Sequence, residues 1–315
     1  MKKILILGMA LMGGFAANAQ QDAMFTHYMF NTLSVNPGYA GSRDALTITG
    51  LHRSQWVGFD GAPTTQTLTL HAPVFNDKIG LGLSVLNDNI GPMQTTSIYG
   101  DFAYKLPVGA KGKLAFGLKG GLNILQGGLT PLRLDDEAGG EQDVAFQNNI
   151  QSDILPNFGF GMYYSTTKWY AGISTPKLLE NDYTSNTTAS GVAGGSEKRH
   201  LFFIAGTVFN LNETGSLKLK PTTFVKVTEA APIEADITAM LIIQDKVEIG
   251  LMGRTGDAVG LLLGYNFTDQ LRFGYSFDWS FANNTAKYNA GSHEVMLRYD
   301  FIMNGKGRIR SPRYF

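Results

Sequence analysis

LRFGYSFDWSF, residues 271–281, alternates apolar residues with small or polar ones along its whole length. One face carries a leucine followed by five aromatic residues, and the other carries Arg272, Asp278 and otherwise only glycine or serine. Since successive side chains of a strand point to opposite faces, this segment is predicted to be a β-strand with one apolar face. Similar alternation recurs along the chain, which favours a transmembrane β-barrel with its apolar faces against lipid. A secreted protein of two packed sheets is the alternative.

The first nineteen residues have the three parts of a secretory signal peptide. Lys2 and Lys3 give a positive start, an apolar stretch follows, and Ala17-Asn18-Ala19 matches an A-x-A cleavage site. We therefore expect residues 1–19 to be removed and the mature chain to begin at Gln20. The apolar stretch is too short to span a bilayer as a helix.

The composition of the chain excludes several classes of function. The chain has 26 basic and 26 acidic residues, and removing Lys2 and Lys3 leaves 24 basic residues. This near-neutral balance gives no electrostatic basis for binding nucleic acid. The chain contains no cysteine, which excludes a lipid-anchored lipoprotein, disulfides and thiolate chemistry. After the leader no apolar run is long enough for a membrane helix.

About fourteen segments have the alternation, and many have the length, of tilted membrane strands. They are residues 45–56, 64–72, 78–87, 95–106, 113–126, 157–165, 169–176, 199–210, 217–226, 235–243, 246–255, 258–267, 271–281 and 291–301. Barrels of the outer membrane alternate short periplasmic turns with longer surface loops. The predicted periplasmic turns are all short: 73–77, 107–112, 166–168, 211–216, 244–245 and 268–270. The three longest connections, 127–156, 177–198 and 282–290, all fall on the surface side. An even strand count then places both termini in the periplasm.

Two segments lie outside the predicted barrel of residues 45–301. In residues 20–44, apolar residues recur at helical spacing until Asn36-Pro37 stops the run. This pattern predicts a short amphipathic helix that plugs the lumen or lies across the periplasmic mouth; a flexible leader is the alternative. Residues 302–315 are basic without any acidic residue. They are expected to hang into the periplasm, either as a solvated tail or docked on a partner.

No pattern in the chain predicts catalysis, a cofactor or a metal site. The five histidines are scattered, and no nucleophile motif or phosphate-binding loop is present. His52 and His71 flank the first surface hairpin and form the best candidate for a barrel-borne enzyme, but no nucleophile and base are placed together. The acidic stretch at 135–143 offers oxygen ligands for Ca²⁺ without the spacing of a dedicated loop, so a solvated surface loop is favoured. We expect a non-enzymatic protein.

Several long motifs make the chain recognisable. Residues 25–41 read FTHYMFNTLSVNPGYAG, residues 53–66 read RSQWVGFDGAPTTQ, and residues 70–73 read LHAP. Residues 291–295 read GSHEV, and the chain ends on Pro-Arg followed by two aromatic residues. Together these motifs resemble the PorP/SprF family, outer-membrane proteins of the type IX secretion system of Bacteroidetes. The resemblance spans essentially the whole mature chain.

The resemblance implies a non-enzymatic barrel in the outer-membrane lipid that works with the secretion machinery. Some members contact periplasmic ring components or peptidoglycan-binding lipoproteins. Others help to export a large secreted surface adhesin and hold it on the cell, in gliding species as part of the motility system. A channel for small or hydrophobic solutes is the alternative function.

The first hairpin is the candidate partner-binding site, because aromatic and amide groups on a tight Gly/Pro loop suit the gripping of a polypeptide. The same hairpin is equally suited to sealing the lumen. With a helix inside and charged lumen faces, a plugged barrel is expected rather than an open pore. The candidate partner-binding residues are Arg53, Gln55, Trp56, Gly58, Phe59, Gly61, Pro63 and Gln66 in the hairpin, and Arg308, Arg310, Arg313 and Phe315 in the tail.

Overall fold

The computed structural model describes residues 24–75, 77–128, 149–184, 193–229, 231–281, 290–301 and 314. The predicted leader 1–19, the acidic stretch 135–143 and most of the tail 302–315 lie outside these residues. Within the described residues, no helix has the length and apolar composition needed to cross a membrane.

The fold is a single closed antiparallel β-barrel with fourteen wall positions. Strands β10 and β11 together fill one position, and β8 and β9 form a separate small hairpin that the alternation did not predict. The bounds are β1 Leu46–Ser54, β2 Thr64–Val74, β3 Ile79–Ile90, β4 Met93–Val108, β5 Gly112–Gly127, β6 Ile150–Ser165, β7 Trp169–Thr175, β8 Asp182–Thr184, β9 Ala193–Ser196, β10 His200–Thr207, β11 Phe209–Asn210, β12 Leu217–Thr228, β13 Glu234–Ile243, β14 Val247–Arg254, β15 Ala258–Asn266, β16 Leu271–Ser280 and β17 Ser292–Phe301.

Two pairings close the barrel. β1 pairs with β17, from Leu46 opposite Phe301 to Ser54 opposite His293. β10 pairs with β12, and β11, which continues the wall position of β10 after Val208, pairs with the beginning of β12. All neighbouring wall strands are antiparallel. Because β1 pairs with β17 and β10 pairs with β12, the sheet has no open edge around the circumference. The predicted fold class is therefore confirmed.

The connections divide the barrel into two unlike ends. One, the turn end, is formed by 75–78, 109–111, 166–168, 211–216, 244–246 and 267–270. The other, the loop end, holds the strand ends that are joined through residues 55–63, 91–92, 128–149, 176–199, 229–233, 255–257 and 281–291. The longest connections all join strand ends at the loop end, as the sequence predicts. The assignment of the turn end, and with it both termini, to the periplasm stays a prediction.

The two faces of the strands match the predicted orientation. On β16, Trp279 is 58% exposed and Phe273 is 36% exposed on the outside of the barrel, whereas Asp278 on the opposite face is 1% exposed. Tyr275 and Phe277 also point outward but are half-buried, since both pack against His293. The outer wall is apolar, and the charged side chains point into a filled lumen.

Residues 24–44, which we call the plug, occupy that lumen. Tyr28 and Leu33 are among its largest fully buried side chains. The only α-helix in the described residues is a single turn, Thr32–Val35, followed by a 3₁₀ turn at Pro37–Tyr39. The helix is shorter than the apolar spacing predicts, because the plug's first polar groups bind the wall rather than one another. The backbone N–H groups of Thr26 and His27 donate to the Glu294 carboxylate at 2.9 and 2.7 Å.

Wall glycines let the plug backbone approach the strands closely. A Cβ atom added at Gly80 would lie 1.9 Å from the Ala40 carbonyl oxygen, and one at Gly117 would lie 2.2 Å from the Gly38 nitrogen. Such separations are far below van der Waals contact, so any side chain at these positions displaces the plug.

Candidate functional site

The β1–β2 loop, residues 55–63, is a rigid projection at the loop end. Val57 exchanges two backbone hydrogen bonds with residues 290–291, at 2.9 and 2.8 Å. On its other side, the carbonyl of Gly61 accepts the Gly91 N–H at 2.9 Å. The loop is thereby fixed to both neighbouring connections, and the barrel holds it in one position.

The tip of this loop presents an apolar surface. Phe59 is 46% exposed and Val57 is 37% exposed. Gly58 and Gly61 have φ angles of 94° and 73°, which only glycine adopts without strain. The tip can therefore fold tightly beneath two exposed apolar side chains. We call the exposed tip residues the tip patch: Val57, Gly58, Phe59, Asp60 and Gly61.

The base of the loop is packed rather than exposed. Trp56 is half-buried with a φ of 49°, and its backbone N–H donates to the Ser292 hydroxyl at 3.2 Å. Its indole N–H is buried without a hydrogen-bond partner in the described residues. Gln55 and Pro63 are half-buried and joined by a backbone hydrogen bond of 2.9 Å. These residues support the tip and contribute little free surface.

The other two hairpin candidates point away from the tip patch. Gln66 lies on the outer face of β2, where its amide is 3.3 Å from the His52 ring nitrogen. Arg53 points into the lumen and is 2% exposed. Its guanidinium lies 2.8 Å from Asp278 and 3.2 Å from Glu294. Arg53 is therefore placed to hold the plug to the wall.

The tail candidates Arg308, Arg310, Arg313 and Phe315 lie outside the described residues. Their neighbour Tyr314 is placed at the turn end. Its hydroxyl donates to Asp245 at 3.2 Å, and its carbonyl accepts a hydrogen bond from the Lys220 ammonium. The Lys218 ammonium lies 5.2 Å from its ring centroid. At least this residue of the tail docks in the barrel mouth.

The two histidines of the enzyme hypothesis lie on opposite faces of the wall. His52 is on the outside, 3.0 Å from the Ser54 hydroxyl. His71 points inward, and its Nδ1 accepts the Gly41 N–H at 3.1 Å, so that nitrogen carries no proton. Within the described residues, no three acidic or histidine side chains are grouped to hold a metal ion.

The sequence did not identify the clamp that fixes the plug. Thr26 donates its hydroxyl hydrogen to Asp278 at 2.6 Å and its N–H to Glu294, and the His27 ring nitrogen Nδ1 lies 2.7 Å from the same glutamate. Arg53 completes this group, which we call the plug clamp: Thr26, His27, Arg53, Asp278 and Glu294. Strand alternation predicts that Asp278 and Glu294 face inward, but nothing local reveals their partners.

Further contacts run along the plug. The Asn31 side chain donates to Thr67 and accepts from Thr69, both at 2.9 Å. Tyr28 places its hydroxyl 2.9 Å from that of Thr222, and burial raises the pKa of Tyr28 to about 12. The phenol therefore stays neutral at physiological pH.

Similarity to solved structures supports the fold alone. The chain resembles the CymD monoaromatic hydrocarbon channel, with a TM-score of 0.53 and 11% identity over 87% of this chain and 94% of that one. It also matches the Acinetobacter baumannii outer membrane protein Omp33, with a TM-score of 0.44 and 10% identity over 82% of this chain and 98% of that one. No curated protein sequence matches the chain.

The family model gives the more specific result. The model for the type IX secretion system membrane protein PorP/SprF matches residues 17–299. That range contains both the plug and the tip patch, so the resemblance of the N-terminal motifs extends to the whole barrel. The chain therefore belongs to the PorP/SprF family and is an outer-membrane component of type IX secretion.

Proposed function

We propose that this barrel helps to export a large cell-surface adhesin and anchors it on the cell, with the tip patch as a contact for the adhesin. The observation that carries the proposal is a rigid apolar tip next to a filled lumen. The loop is held by backbone hydrogen bonds on both sides. A partner that binds Phe59 therefore meets a preorganised surface, and little conformational entropy of the loop is lost on binding.

Phe59 and Val57 are suited to act as the centre of such a contact. Exposed aromatic side chains on rigid supports contribute disproportionately to protein interfaces. Glycines beneath them leave room for a partner's backbone to approach. The role is one of binding, and we propose that the protein has no enzymatic activity.

The turn end is proposed to face the periplasm and the rest of the machinery. Contact there with ring components or peptidoglycan-binding lipoproteins would connect the barrel to the periplasmic apparatus. Part of the basic tail docks in the mouth at Tyr314, and the arginines of the tail are the proposed partner contacts.

A channel for small or hydrophobic solutes is the alternative. The barrel shares its fold with a hydrocarbon channel. The plug argues against free passage, since its residues Thr26, Leu33 and Ala40 are almost completely buried within the lumen. A channel function requires the plug to move.

The test is the recovery of partners from native outer membranes. We expect the tagged full chain, purified in gentle detergent, to bring down a large surface protein in near-equal amount as identified by mass spectrometry. Phe59→Ala should reduce that recovery and the surface display of the same protein. Phe75→Ala is the matched control, since Phe75 is 75% exposed in a connection at the turn end.

Two results would contradict the proposal. One is normal surface display in a deletion strain without redundant paralogues. The other is equal recovery of the partner with Phe59→Ala and Phe75→Ala. Steady conductance of the wild-type barrel in planar bilayers, without a recovered partner, would instead support the channel.

A further inference from the structure

A cavity of about 100 Å³ lies inside the barrel between the plug and strands β2–β5. Residues 176–177 and 197–198 also line it, so it reaches toward the loop end. Since a water molecule needs about 10–15 Å³ of such space, the cavity holds about seven waters or one ring-sized ligand. Hydroxyl groups dominate its polar lining, and they include those of Ser34, Thr67, Thr69, Ser84, Ser97 and Tyr99.

The hydroxyl groups on β3 and β4 are fixed by acceptors within the protein. Ser84 donates its hydroxyl hydrogen to Asp101 at 2.8 Å. Ser97 and Tyr99 both donate to the side-chain oxygen of Asn123, at 2.7 and 2.9 Å. A hydroxyl group whose hydrogen is engaged can still accept a hydrogen bond through its oxygen. This part of the wall therefore presents hydrogen-bond acceptors to the cavity.

Asn31 of the plug fixes the remaining hydroxyl groups. Ser34 donates to the Asn31 carbonyl at 2.7 Å, and Thr69 donates to its side-chain oxygen at 2.9 Å. Thr67 differs from them, because its hydroxyl oxygen accepts from the Asn31 amide at 2.9 Å. No acceptor for the Thr67 hydroxyl hydrogen lies among the residues that the structure describes. The cavity thus combines several acceptors with a donor, which suits a ligand whose own hydroxyl groups both donate and accept.

The two buried charges of the lining are engaged within the protein. The Lys119 ammonium lies 2.9 Å from the Asp101 carboxylate. The Glu197 carboxylate accepts from the side-chain amides of Asn157 and Asn181, at 3.2 and 2.8 Å. The half-buried charges of the lining have both signs: Asp88, Lys177 and Lys198. This arrangement favours a neutral polar ligand over an ion.

We infer that this cavity binds a saccharide unit. A pyranose ring carries hydroxyl groups around its edge and apolar C–H groups on its faces, so it needs polar and apolar contacts together. Phe25 of the plug and Phe202 of β10 supply the apolar part of the lining. Phe202 is held in place by stacking on Phe224, with ring centroids 5.3 Å apart. Apolar side chains with a few fixed polar groups are typical of small-molecule sites. This inference does not depend on the adhesin proposal.

The experiment measures sugar binding by the purified full-length barrel, in a zwitterionic detergent without a sugar head group. Glucose, galactose, maltotriose and methylammonium are titrated separately and followed by saturation-transfer NMR. We expect saturable binding of at least one of the sugars. Maltotriose binding more tightly than glucose identifies the end of a glycan chain as the ligand, and equal or weaker binding identifies a free sugar. Absence of saturable binding by all three sugars overturns the inference, whether or not methylammonium binds.

A matched pair of variants locates the site. Ser97→Ala should weaken sugar binding about three- to tenfold, since one neutral hydrogen bond is lost. The Asn123 oxygen keeps its bond from Tyr99 in this variant. Ser276→Ala makes the same substitution at a buried serine of β16 outside the cavity lining, so affinity should be unchanged.

Equal affinities of the wild type and both variants overturn the assignment. If Ser97→Ala does not fold, Thr67→Val and Thr67→Ser provide the comparison. Thr67→Val removes the hydroxyl group and should weaken binding, whereas Thr67→Ser keeps it and should bind as the wild type does. Equal binding by these two variants likewise overturns the assignment.

Discussion

The Arg53 guanidinium lies 2.8 Å from the Asp278 carboxylate, although 225 positions separate the two residues in the chain. The same nitrogen contacts the Thr26 hydroxyl at 3.0 Å. One side chain thus joins the plug to strands β1 and β16, next to the pairing of β1 with β17 that closes the wall. Closure of the barrel and seating of the plug are therefore coupled at the plug clamp.

Arg53→Ala should strongly destabilise the protein. It leaves Asp278 and Glu294 buried without their cation, a loss of about 3–5 kcal/mol for a buried pair. We expect a lower midpoint of urea unfolding in vesicles. We also expect new conductance in planar bilayers, because the plug loses one of its attachments near the loop end and the two carboxylates that hold the others lose their cation.

Lys113→Ala is the control for that variant. Lys113 pairs with Asp44 at 3.4 Å, with both side chains exposed to solvent. Ion pairs exposed to solvent contribute little to stability, so the free energy of unfolding should be almost unchanged. Similar losses in the two variants would show that Arg53 does not clamp the plug.

Leu251→Arg tests whether the outer wall faces lipid. Leu251 is 67% exposed near the middle of β14. A charge there should lower the free energy of unfolding by about 2–4 kcal/mol if the position lies near the bilayer midplane. Leu211→Arg, at a residue that is 51% exposed in a turn-end connection, should be tolerated. Equal unfolding free energies in vesicles would contradict the membrane placement.

The wall was predictable from sequence because its signal is local. Alternation with a period of two assigned the faces of β16 and β17 correctly and gave about fourteen strands, a count with which the short and long connections agreed. The same reasoning correctly anticipated charged residues in the lumen. The strand predicted at 199–210 is interrupted at Val208, whose N–H bonds to Lys168 rather than to a neighbouring wall strand.

The plug and its contacts were harder to predict because they are non-local. The spacing of Phe25, Tyr28 and Leu33 indicated a helix, but all three are buried among inward-facing wall residues and only one helical turn forms. Arg53 stands in a surface-hairpin motif, yet strand parity turns it inward, where partners more than 200 positions away decide its role. No pattern within one segment identifies such partners.

Tyr28 should make stability depend on alkaline pH. Its pKa is about 12 in the fold and 10 when exposed, so the unfolded chain loses the proton first. The contribution of Tyr28 to the free energy of unfolding is therefore fully present below pH 10. It falls as the pH rises toward 12, by about 1.4 kcal/mol for each pH unit. Urea unfolding at pH 9 and pH 11 measures the difference. Tyr28→Phe should remove this dependence on pH. If the unfolding free energy of that variant still falls between pH 9 and pH 11 as steeply as that of the wild type, Tyr28 is not its source.

Gly117→Ala should displace the plug, whereas Gly120→Ala on the same strand should not. The added Cβ at Gly117 meets the Gly38 nitrogen at 2.2 Å and the Pro37 carbonyl carbon at 2.3 Å, both backbone atoms that cannot rotate away. At Gly120, on the outer face, no heavy atom lies within 4 Å of the added carbon. Since overpacking typically costs about 1–3 kcal/mol, the Gly117 variant should unfold at lower urea and expose the plug to protease. Equal stability and equal protease resistance of the two variants would show that the plug does not rest against β5.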